Sequence, residues 1–458
     1  MGALLVAGTT SDAGKTVVVA GLCRVLARRG VSVAPFKAQN MSLNSAVTAD
    51  GGEIGRAQAL QAAACGIPAT TDMNPILLKP LGDLRSQVVV RGRPVGVVAA
   101  GDWAPADLWD VVLGSLASLR SSADVVICEG AGGAAETNLL DRDVVNLPLA
   151  RRAGMPAVVV GDIDRGGVFA SLFGTWAVLP DDLRACIRGF LVNRLRGDPA
   201  LLGDGPADLA RRTGVPVLGV LPWVPGITID AEDSLALDAA GGGDGPVDVA
   251  VVRFPRVSNF TDLDPLLLEP SVTVRWVSHA RQLGRPHLVV LPGTRSTVAD
   301  LAWLRERGLD RAVAASGAAV LGICGGYQVL GRTIVDDVES GAGVVEGLGL
   351  LDVTTRFEPD KVVERWGATG YRIHHWRVVA HAGEPWLDGV RGGRTYGTSV
   401  HGLFEDDAFR ERFLADVGGA DYVPAGASFE GARQAQLDRL ADLLERHADV
   451  DRLLALAG

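Results

Sequence analysis

Short apolar runs alternate with amphipathic stretches along most of the chain. From Ala3 to about Pro222 the apolar runs are rich in valine and isoleucine, as in ALLVAG, DVVICEG, PAVVVGD and GFLVNR. Runs of this kind, separated by stretches long enough for a helix, predict a parallel sheet with helices on both faces. The first part of the chain is therefore predicted to be a doubly wound α/β domain.

The same alternation resumes further along and predicts a second α/β domain with its own mostly parallel sheet. Its runs include VDVAVVRF, HLVVLPG and AAVLGIC, and they continue to about Asp421. A chain of 458 residues is too long for one hydrophobic core. The glycine-rich stretch LALDAAGGGDGPV has no periodicity and is a predicted linker. We expect a first domain over 1–234, the linker over 235–247, a second domain over 248–430 and a carboxy-terminal helix over 431–458.

Net charge and cysteine usage argue against several classes of function. The formal charge of −10 gives no broad basic field, so neither nucleic acid nor an anionic membrane is an expected partner. Five widely spaced cysteines form no CxxC pair, which favours a reducing cytoplasm over a disulfide framework or a zinc site. The uncharged stretch 312–331 is interrupted by glycines and polar residues, which predict a buried strand, a turn and a helix rather than a membrane span. None of these features argues against a homo-oligomer.

A glycine-rich segment lies between the first apolar strand and the first predicted helix. Phosphate binding needs backbone N–H groups at a helix start, a lysine, and a hydroxyl for Mg²⁺. The segment supplies all three, although its first glycine is one residue earlier than in the strict GxxxxGK[ST] pattern. A plain strand-to-helix turn is the alternative. We predict an ATP site formed by Gly8, Thr9, Thr10, Ser11, Asp12, Ala13, Gly14, Lys15 and Thr16.

Polar residues at the ends of neighbouring strands extend this predicted site. Glu129 ends the run DVVICE before a glycine turn, where P-loop proteins hold Mg²⁺. Lys37 comes out at the same sheet edge and is a candidate clamp for the γ-phosphate or a substrate carboxylate. Asn193 ends GFLVN and is a candidate contact for adenine. The next loop is either part of the site or a plain exposed loop, and its polar residues are Gln39, Asn40, Ser42, Asn44 and Ser45.

The segment AAVLGICGGYQVLG predicts a nucleophile elbow. An apolar strand runs into Cys324, which has glycines around it and is followed by a helix. Small neighbours permit the strained turn, and a helix amino terminus favours the thiolate over the thiol. A small buried cysteine is the alternative. We expect oxyanion donors at Gly325 and at Gly293, which follows the strand HLVVL, and we place Gln328 in the same site.

A cysteine nucleophile needs a base, and the chain has seven histidines. His401, in YGTSVHGLF, follows an apolar strand and precedes a turn glycine, so it is the leading candidate. His374 and His375 are rivals on the residues alone. Glu405 and Asp406 lie close in sequence and are candidates to orient His401.

These motifs together resemble a known enzyme family. GICGGYQ with the later His401 is similar to a class I glutamine amidotransferase domain, and GTTSDAGKT with CEGAGG resembles the ATP domain of the dethiobiotin-synthetase type. In this order, and with KAQNMSLNS, GDIDRGGVFAS and LPGTRST, they resemble the cobyric acid synthase family of cobalamin biosynthesis from Met1 to about Asp421. The resemblance implies ATP-dependent amidation of four peripheral carboxylates of a corrin, adenosylcobyrinic acid a,c-diamide, with ammonia from L-glutamine.

The resemblance also implies roles for individual residues. Cys324 is the nucleophile and His401 the base; Leu403 stands where related enzymes have an acid, so a Cys–His dyad is expected. Mg²⁺ is expected on Thr16 and Glu129, with Glu53 as a further candidate. The motif GYRIHHW departs from the GYEIHMG expected for the family.

Three other functions remain open on the sequence. Cobyrinic acid a,c-diamide synthase has the same domain plan but amidates other carboxylates. A partitioning-type ATPase switch would use the P-loop and leave the Cys324 elbow without a role. An ATPase whose second domain is only a scaffold would make Cys324 a structural residue.

Overall fold

The computed structural model describes residues 2–82, 84–226 and 241–458. Residues 235–240 of the predicted linker lie outside these ranges. The predicted linker ends at Val247, which is the first residue of a strand. The second set of strands therefore begins one residue earlier than the predicted domain.

Strands and helices alternate through both halves of the chain. The strands of the first half are β1 (Gly2–Gly8), β2 (Val33–Phe36), β3 (Gln39–Met41), β4 (Ser45–Val47), β5 (Glu53–Gly55), β6 (Ile76–Gly82), β7 (Arg85–Val90), β8 (Arg93–Ala99), β9 (Val125–Glu129), β10 (Ala157–Asp162), β11 (Ile187–Leu195) and β12 (Val217–Pro222). The strands of the second half are β13 (Val247–Val252), β14 (Val272–Val277), β15 (Leu288–Leu291), β16 (Ala319–Ile323), β17 (Thr333–Asp336), β18 (Gly343–Glu346), β19 (Val353–Trp366), β20 (Gly370–Ala380), β21 (Glu384–Trp386), β22 (Gly389–Gly392) and β23 (Thr395–Thr398). The helices are α1 (Lys15–Arg28), α2 (Arg56–Cys65), α3 (Trp109–Ser122), α4 (Leu147–Arg152), α5 (Val168–Ala177), α6 (Asp181–Arg184), α7 (Gly205–Thr213), α8 (Thr297–Glu306), α9 (Leu309–Ala315), α10 (Gly325–Leu330), α11 (Asp407–Gly418), α12 (Phe429–His447) and α13 (Val450–Ala457).

Six strands of the first half form one parallel sheet in the order β12-β11-β10-β1-β9-β2. All of β9 and nearly all of β1 and β10 are buried, because separate apolar cores cover the two faces of the sheet. Burial on both faces explains why these strands are continuous runs of valine, isoleucine and leucine. The predicted doubly wound α/β fold of this half is confirmed.

The second half has a sheet in the order β14-β13-β15-β16-β23-β22-β21. The pairs from β14 to β23 are parallel, and β22 and β21 add antiparallel strands at one edge. A smaller sheet, β18-β17-β19-β20, shares its hydrophobic core. The uncharged stretch 312–331 forms the end of α9, the buried strand β16, a turn and α10, as predicted. Within the described ranges, no helix is long and apolar enough to span a bilayer.

The polar loop after Lys37 is not a plain exposed loop. Part of it forms β3, which pairs with β6, and part forms β4, which pairs with β5. Asn40, Asn44 and Ser45 are all buried. The backbone N–H of Ser45 donates to Oδ1 of Asn259 in the second half at 2.9 Å. The loop therefore belongs to the boundary between the two halves.

The carboxy-terminal segment forms two helices where one was predicted, and both pack on the first half. A break at Ala448 separates α12 from α13, and the side chain of Asp449 caps α13. Leu440 and Leu444 join α1 and β1 in one apolar core. The first half is thus completed by residues from the far end of the chain.

Shortening the Leu444 side chain in this core should destabilise the first half. Leu444 is 2% exposed, and we expect Leu444→Ala to cost about 2–5 kcal/mol of unfolding free energy through lost burial and a residual cavity. Thermal and urea unfolding would measure the loss. The control is Arg446→Ala, because 69% of that side chain is exposed on the same helix. Equal effects of the two substitutions would contradict the packing role of Leu444.

Candidate active site

The glycine-rich segment between β1 and α1 forms a P-loop whose shape depends on its glycines. Gly14 has φ 96°, in the left-handed region that favours glycine. A Cβ on Gly14 would lie 2.0 Å from Nδ2 of Asn193, which itself donates to the carbonyl of Ala13 at 2.9 Å. Asn193, which lies on β11, therefore stabilises the P-loop. That it contacts adenine stays a prediction.

Lys15 and Thr16 lie at the start of α1, where the motif requires a cation and a hydroxyl. The Lys15 ammonium donates to the carbonyls of Thr10 and Gly132, each at 2.9 Å, so it crosses the mouth of the loop. Thr16 Oγ1 donates to Oε1 of Glu129 at 2.9 Å. The strand end of β9 and the P-loop are thereby brought together, as the parallel sheet predicts.

Glu129 is the centre of a buried polar cluster. Its Oε1 also accepts from the Lys37 ammonium at 3.0 Å, and its Oε2 accepts from Nε2 of Gln61 on α2. The carboxylate is 1% exposed, so its charge is compensated by Lys37 rather than by solvent. A hydroxyl and a carboxylate beside a P-loop are the oxygen donors that suit Mg²⁺. Sequence reasoning missed Gln61, because a glutamine inside an alanine-rich helix carries no motif.

Glu53 does not belong to this cluster, which corrects its predicted role in metal binding. Its Oε1 accepts from Lys79 and from Ser45, and its Oε2 accepts from Lys361 of the second half. Burial would raise the pKa of Glu53, but the charges of Lys361 and Lys79 hold it well below its ordinary value. A carboxylate already neutralised by two ammonium groups is a poor ligand for a dication.

Cys324 occupies the strained turn between β16 and α10. Its φ of 52° and ψ of −110° are unusual for a residue with a side chain. A Cβ on Gly326 would lie 1.8 Å from the carbonyl oxygen of Leu291, and one on Gly325 would lie 2.9 Å from the backbone nitrogen of Thr294. The elbow therefore needs both glycines, in agreement with the reasoning from sequence.

His401 lies beside Cys324 and has a carboxylate partner. Its Nδ1 is 2.7 Å from Oδ2 of Asp262, whose Oδ1 accepts from the backbone N–H of Gly402 at 2.9 Å. The imidazole stacks on Tyr371, with ring centroids 5.3 Å apart. Asp262 thus fixes the orientation of His401, and a Cys–His–Asp triad replaces the expected dyad.

The two acids predicted to orient His401 have other partners. Glu405 accepts from Arg56 of the first half and from Arg433 of α12. Asp406 caps α11 by accepting from the backbone N–H of Phe409. Choosing acids close to His401 in sequence gave the wrong partner, because Asp262 comes from a 3₁₀ helix 139 residues earlier in the chain.

Buried charges set the protonation of His401. Burial alone would lower its pKa, but the charges of Asp262 and Cys324 and hydrogen bonds to both raise the pKa of His401 to about 10. The imidazole therefore holds its proton at neutral pH, with that proton available for a leaving group next to Cys324.

His374 and His375 line the same cavity but do not have the properties of the base. Burial, with nearby positive charge, lowers the pKa of each to about 4. Within the part of the chain that the structure describes, Nε2 of His374 and both ring nitrogens of His375 lack hydrogen-bond partners. His401 is the histidine with a carboxylate on Nδ1 and a hydrogen bond to Cys324.

Gly293 and Gln328 both lie close to the Cys324–His401 pair. A Cβ on Gly293 would come 3.1 Å from Cε1 of His401, so this loop packs directly on the His401 ring. The side-chain Oε1 of Gln328 accepts from Oγ1 of Thr297, and among the described residues its buried Nε2 has no partner. An unsatisfied donor next to Cys324 fits a substrate amide or carboxylate. Their roles in binding stay predictions.

A cavity of about 50 Å³ connects this triad with the first half of the chain. Its lining includes Cys324, His401 and Gln328 together with Lys79 and Lys361. Because Lys79 comes from β6 and Lys361 from β19, the cavity lies at the boundary between the halves. The cysteine therefore faces the domain that carries the P-loop.

Two family models match the chain in this order. A model described as the CobQ/CobB/MinD/ParA nucleotide binding domain matches residues 4–236, and one described as the CobB/CobQ-like glutamine amidotransferase domain matches residues 248–409. Together with the P-loop and the cysteine elbow, they define a glutamine-dependent amidoligase with an ATP-binding half.

Full-length relatives narrow this class to one family. The chain is 54% identical to the cobyric acid synthase of Rhodococcus jostii (strain RHA1), over 100% of this chain and 96% of the relative. It is 53% identical to that of Nocardia farcinica (strain IFM 10152), over 99% and 96%. The chain belongs to the cobyric acid synthase family. A crystal structure of a glutamine amidotransferase covers 38% of this chain and 99% of its own at 18% identity and a TM-score of 0.30, which is too low to argue from.

The contact between Asp262 and His401 predicts a shifted pH profile. In Asp262→Asn the charge that raises the pKa of His401 is lost, so the imidazole gives up its proton at lower pH. We expect the alkaline limb of glutamine hydrolysis to move to lower pH, with kcat reduced about 10²-fold. The control is Glu405→Gln, which should leave the limb in place. An unmoved limb in Asp262→Asn would show that Asp262 does not set the protonation of His401.

Proposed function

We propose that the chain amidates the four peripheral carboxylates b, d, e and g of adenosylcobyrinic acid a,c-diamide, using ATP and L-glutamine. The observation that carries this proposal is the presence in one chain of a P-loop carboxylate cluster and a cysteine triad whose cavity is also lined by Lys79 of the ATP-binding half. Full-length identity to proteins named cobyric acid synthase supports the choice of a corrin. The five unpaired cysteines fit action in the reducing cytoplasm.

In the glutaminase half, Cys324 attacks the side-chain amide of glutamine as the thiolate. Backbone N–H groups of Gly325 and of the Gly293 loop stabilise the oxyanion, and His401 donates its proton to the departing ammonia. Water, activated by the now neutral His401, then cleaves the thioester and releases glutamate. Asp262 keeps the imidazole in one orientation throughout.

In the synthetase half, the residues around the P-loop activate a carboxylate. A carboxylate does not react with ammonia at neutral pH, and transfer of the γ-phosphoryl group to it creates an acyl phosphate with a good leaving group. Lys15 and Lys37 fix the phosphates, and Thr16 and Glu129 would hold Mg²⁺, which supplies neutralisation of phosphate charge. Ammonia displaces phosphate and leaves the amide.

Two rivals make different products. Cobyrinic acid a,c-diamide synthase would add amides at other carboxylates, and a partitioning-type ATPase switch would make no amide. The cysteine triad argues against the switch, because ATP-driven association has no use for a polarised thiol. A mass spectrum of the corrin formed with ATP and glutamine decides among them. Four added amides fit the proposal, and any other number contradicts it.

Substitutions at the two sites should separate the two half-reactions. We expect Cys324→Ala to abolish glutamine-dependent synthesis while synthesis with added ammonium salt survives, because only the ammonia source is lost. We expect Lys15→Ala to abolish both, because the carboxylate is no longer activated. Corrin product and glutamate would be quantified in parallel. Loss of both activities in Cys324→Ala would contradict the division of labour.

A further inference from the structure

Asp388 lies in a two-residue turn next to the segment that carries His401. Trp386 on β21 pairs with Gly389 on β22, so Leu387 and Asp388 form the turn between these strands. Leu387 has φ 53°, although it is neither a glycine nor one of the small polar residues that tolerate this region. The turn therefore holds an unfavourable backbone conformation, which points to a constraint on the position of Asp388.

The carboxylate of Asp388 is 5% exposed and accepts hydrogen bonds from the segment before His401. Its Oδ1 accepts from Oγ1 of Thr398 at 2.6 Å and from the backbone N–H of Ser399 at 3.1 Å. Its Oδ2 accepts from Oγ of Ser399, and Nη1 of Arg372 lies 3.4 Å from the same oxygen. Because an ionised acceptor forms stronger hydrogen bonds than a neutral one, Asp388 holds these two residues firmly.

These bonds continue the support of the segment beyond the end of a strand. The ladder between β22 and β23 ends at the pair Val390–Gly397. Beyond that pair, the side chain of Asp388 takes the place of a strand backbone by accepting from the N–H of Ser399. Asp388 thereby extends the fixed part of the chain from β23 towards His401.

The segment that Asp388 holds also contacts the nucleophile. Thr398 is the last residue of β23, and its carbonyl accepts from the backbone N–H of Cys324 at 2.8 Å. Its Oγ1 accepts from the backbone N–H of Val400, the residue before His401, at 3.1 Å. One threonine therefore connects the carboxylate of Asp388 with both members of the reacting pair.

A second connection to His401 passes through β20. The backbone groups of Tyr371 and His401 exchange hydrogen bonds of 3.1 and 2.8 Å, and the two rings stack. Arg372, the next residue of β20, reaches Asp388 with its guanidinium group. Asp388 thus contacts both chain segments that determine where the imidazole lies.

We infer that Asp388 is a positioning residue that holds Cys324 and His401 in their reacting geometry. Asp388 is not among the described residues that line the Cys324 cavity, so it acts through Thr398 and Ser399 rather than on the substrate. The inference rests on the proposed function, since it needs Cys324 and His401 to hydrolyse glutamine. A displacement of about 1 Å in a catalytic group can lower a rate about 10²-fold, so a small shift of this segment is enough to reduce turnover.

The test separates turnover from substrate binding. In Asp388→Ala we expect kcat for glutamine hydrolysis to fall about 10- to 100-fold with little change in KM, because His401 shifts while the lining of the cavity stays. Synthesis with saturating ammonium salt should stay at the wild-type level. Asp388→Asn should recover most of the lost kcat, because its Oδ1 still accepts from Thr398 and Ser399. Ser399→Ala removes one donor and should lower kcat about two- to tenfold.

The control is Asp248→Ala, which breaks a carboxylate–arginine pair at the opposite edge of the same sheet. Asp248 accepts from Arg275 at 2.7 and 2.8 Å near the start of β13, whereas Cys324 follows the end of β16, which runs in the same direction. Its loss should lower the free energy of unfolding and leave the kcat of the folded protein unchanged. Urea unfolding of each variant gives the folded fraction by which its kcat is corrected.

Each outcome decides the inference. A lower kcat with an unchanged KM in Asp388→Ala, recovered in Asp388→Asn and absent in Asp248→Ala, supports it. A wild-type kcat in Asp388→Ala, or in Ser399→Ala where Asp388→Ala does not fold, overturns it. A rise in KM alone, an equal loss of ammonium-dependent synthesis, an equal loss in Asp248→Ala, or no recovery in Asp388→Asn also overturns it. Failure of the wild-type protein to hydrolyse glutamine overturns the proposed function as well, which distinguishes the two failures.

Discussion

A carboxylate buried at the boundary between the two halves constrains the rest of the structure. Glu53 has Lys79 from its own half on one oxygen and Lys361 from the other half on the second. Breaking a buried ion pair costs about 3–5 kcal/mol, because the remaining charge loses both its partner and access to water. Nearby, Asn44 accepts from the backbone of Phe260, which begins the 3₁₀ helix that carries Asp262. The boundary therefore also fixes Asp262, the partner of His401.

Sequence alone could predict the parts of the site whose chemistry is local. The P-loop and the Cys324 elbow are each built from consecutive residues whose glycines, strand and helix all point to one conformation. Glu129 could be placed because parallel strands end at the same edge of a sheet. The two doubly wound sheets could be predicted from the valine-rich runs, because a strand buried on both faces is apolar along its whole length.

The parts that sequence did not predict depend on distant segments. Asp262 reaches His401 only because its 3₁₀ helix packs against the turn Leu403–Glu405 that follows His401, and nothing around Asp262 in the sequence marks it as a partner of a histidine. Glu53 has the sequence context of a metal ligand, but Lys361 from the other side of the boundary binds its carboxylate. The loop with Asn40 has the composition of a solvated loop, but strand pairing within the first half and contacts with the second half bury it. In each case a side chain finds its partner through tertiary contact.

The position of α12 and α13 has a consequence for how the chain folds during synthesis. Leu440 and Leu444 complete a core that includes α1, yet the ribosome makes them after the whole amidotransferase half. At ordinary translation rates one apolar face of the first half then stays uncovered for tens of seconds. The nascent chain is therefore exposed to aggregation and to chaperone capture during that interval. Placing its two closing helices last makes the ATP-binding half the last unit to mature, although it is the first to be translated.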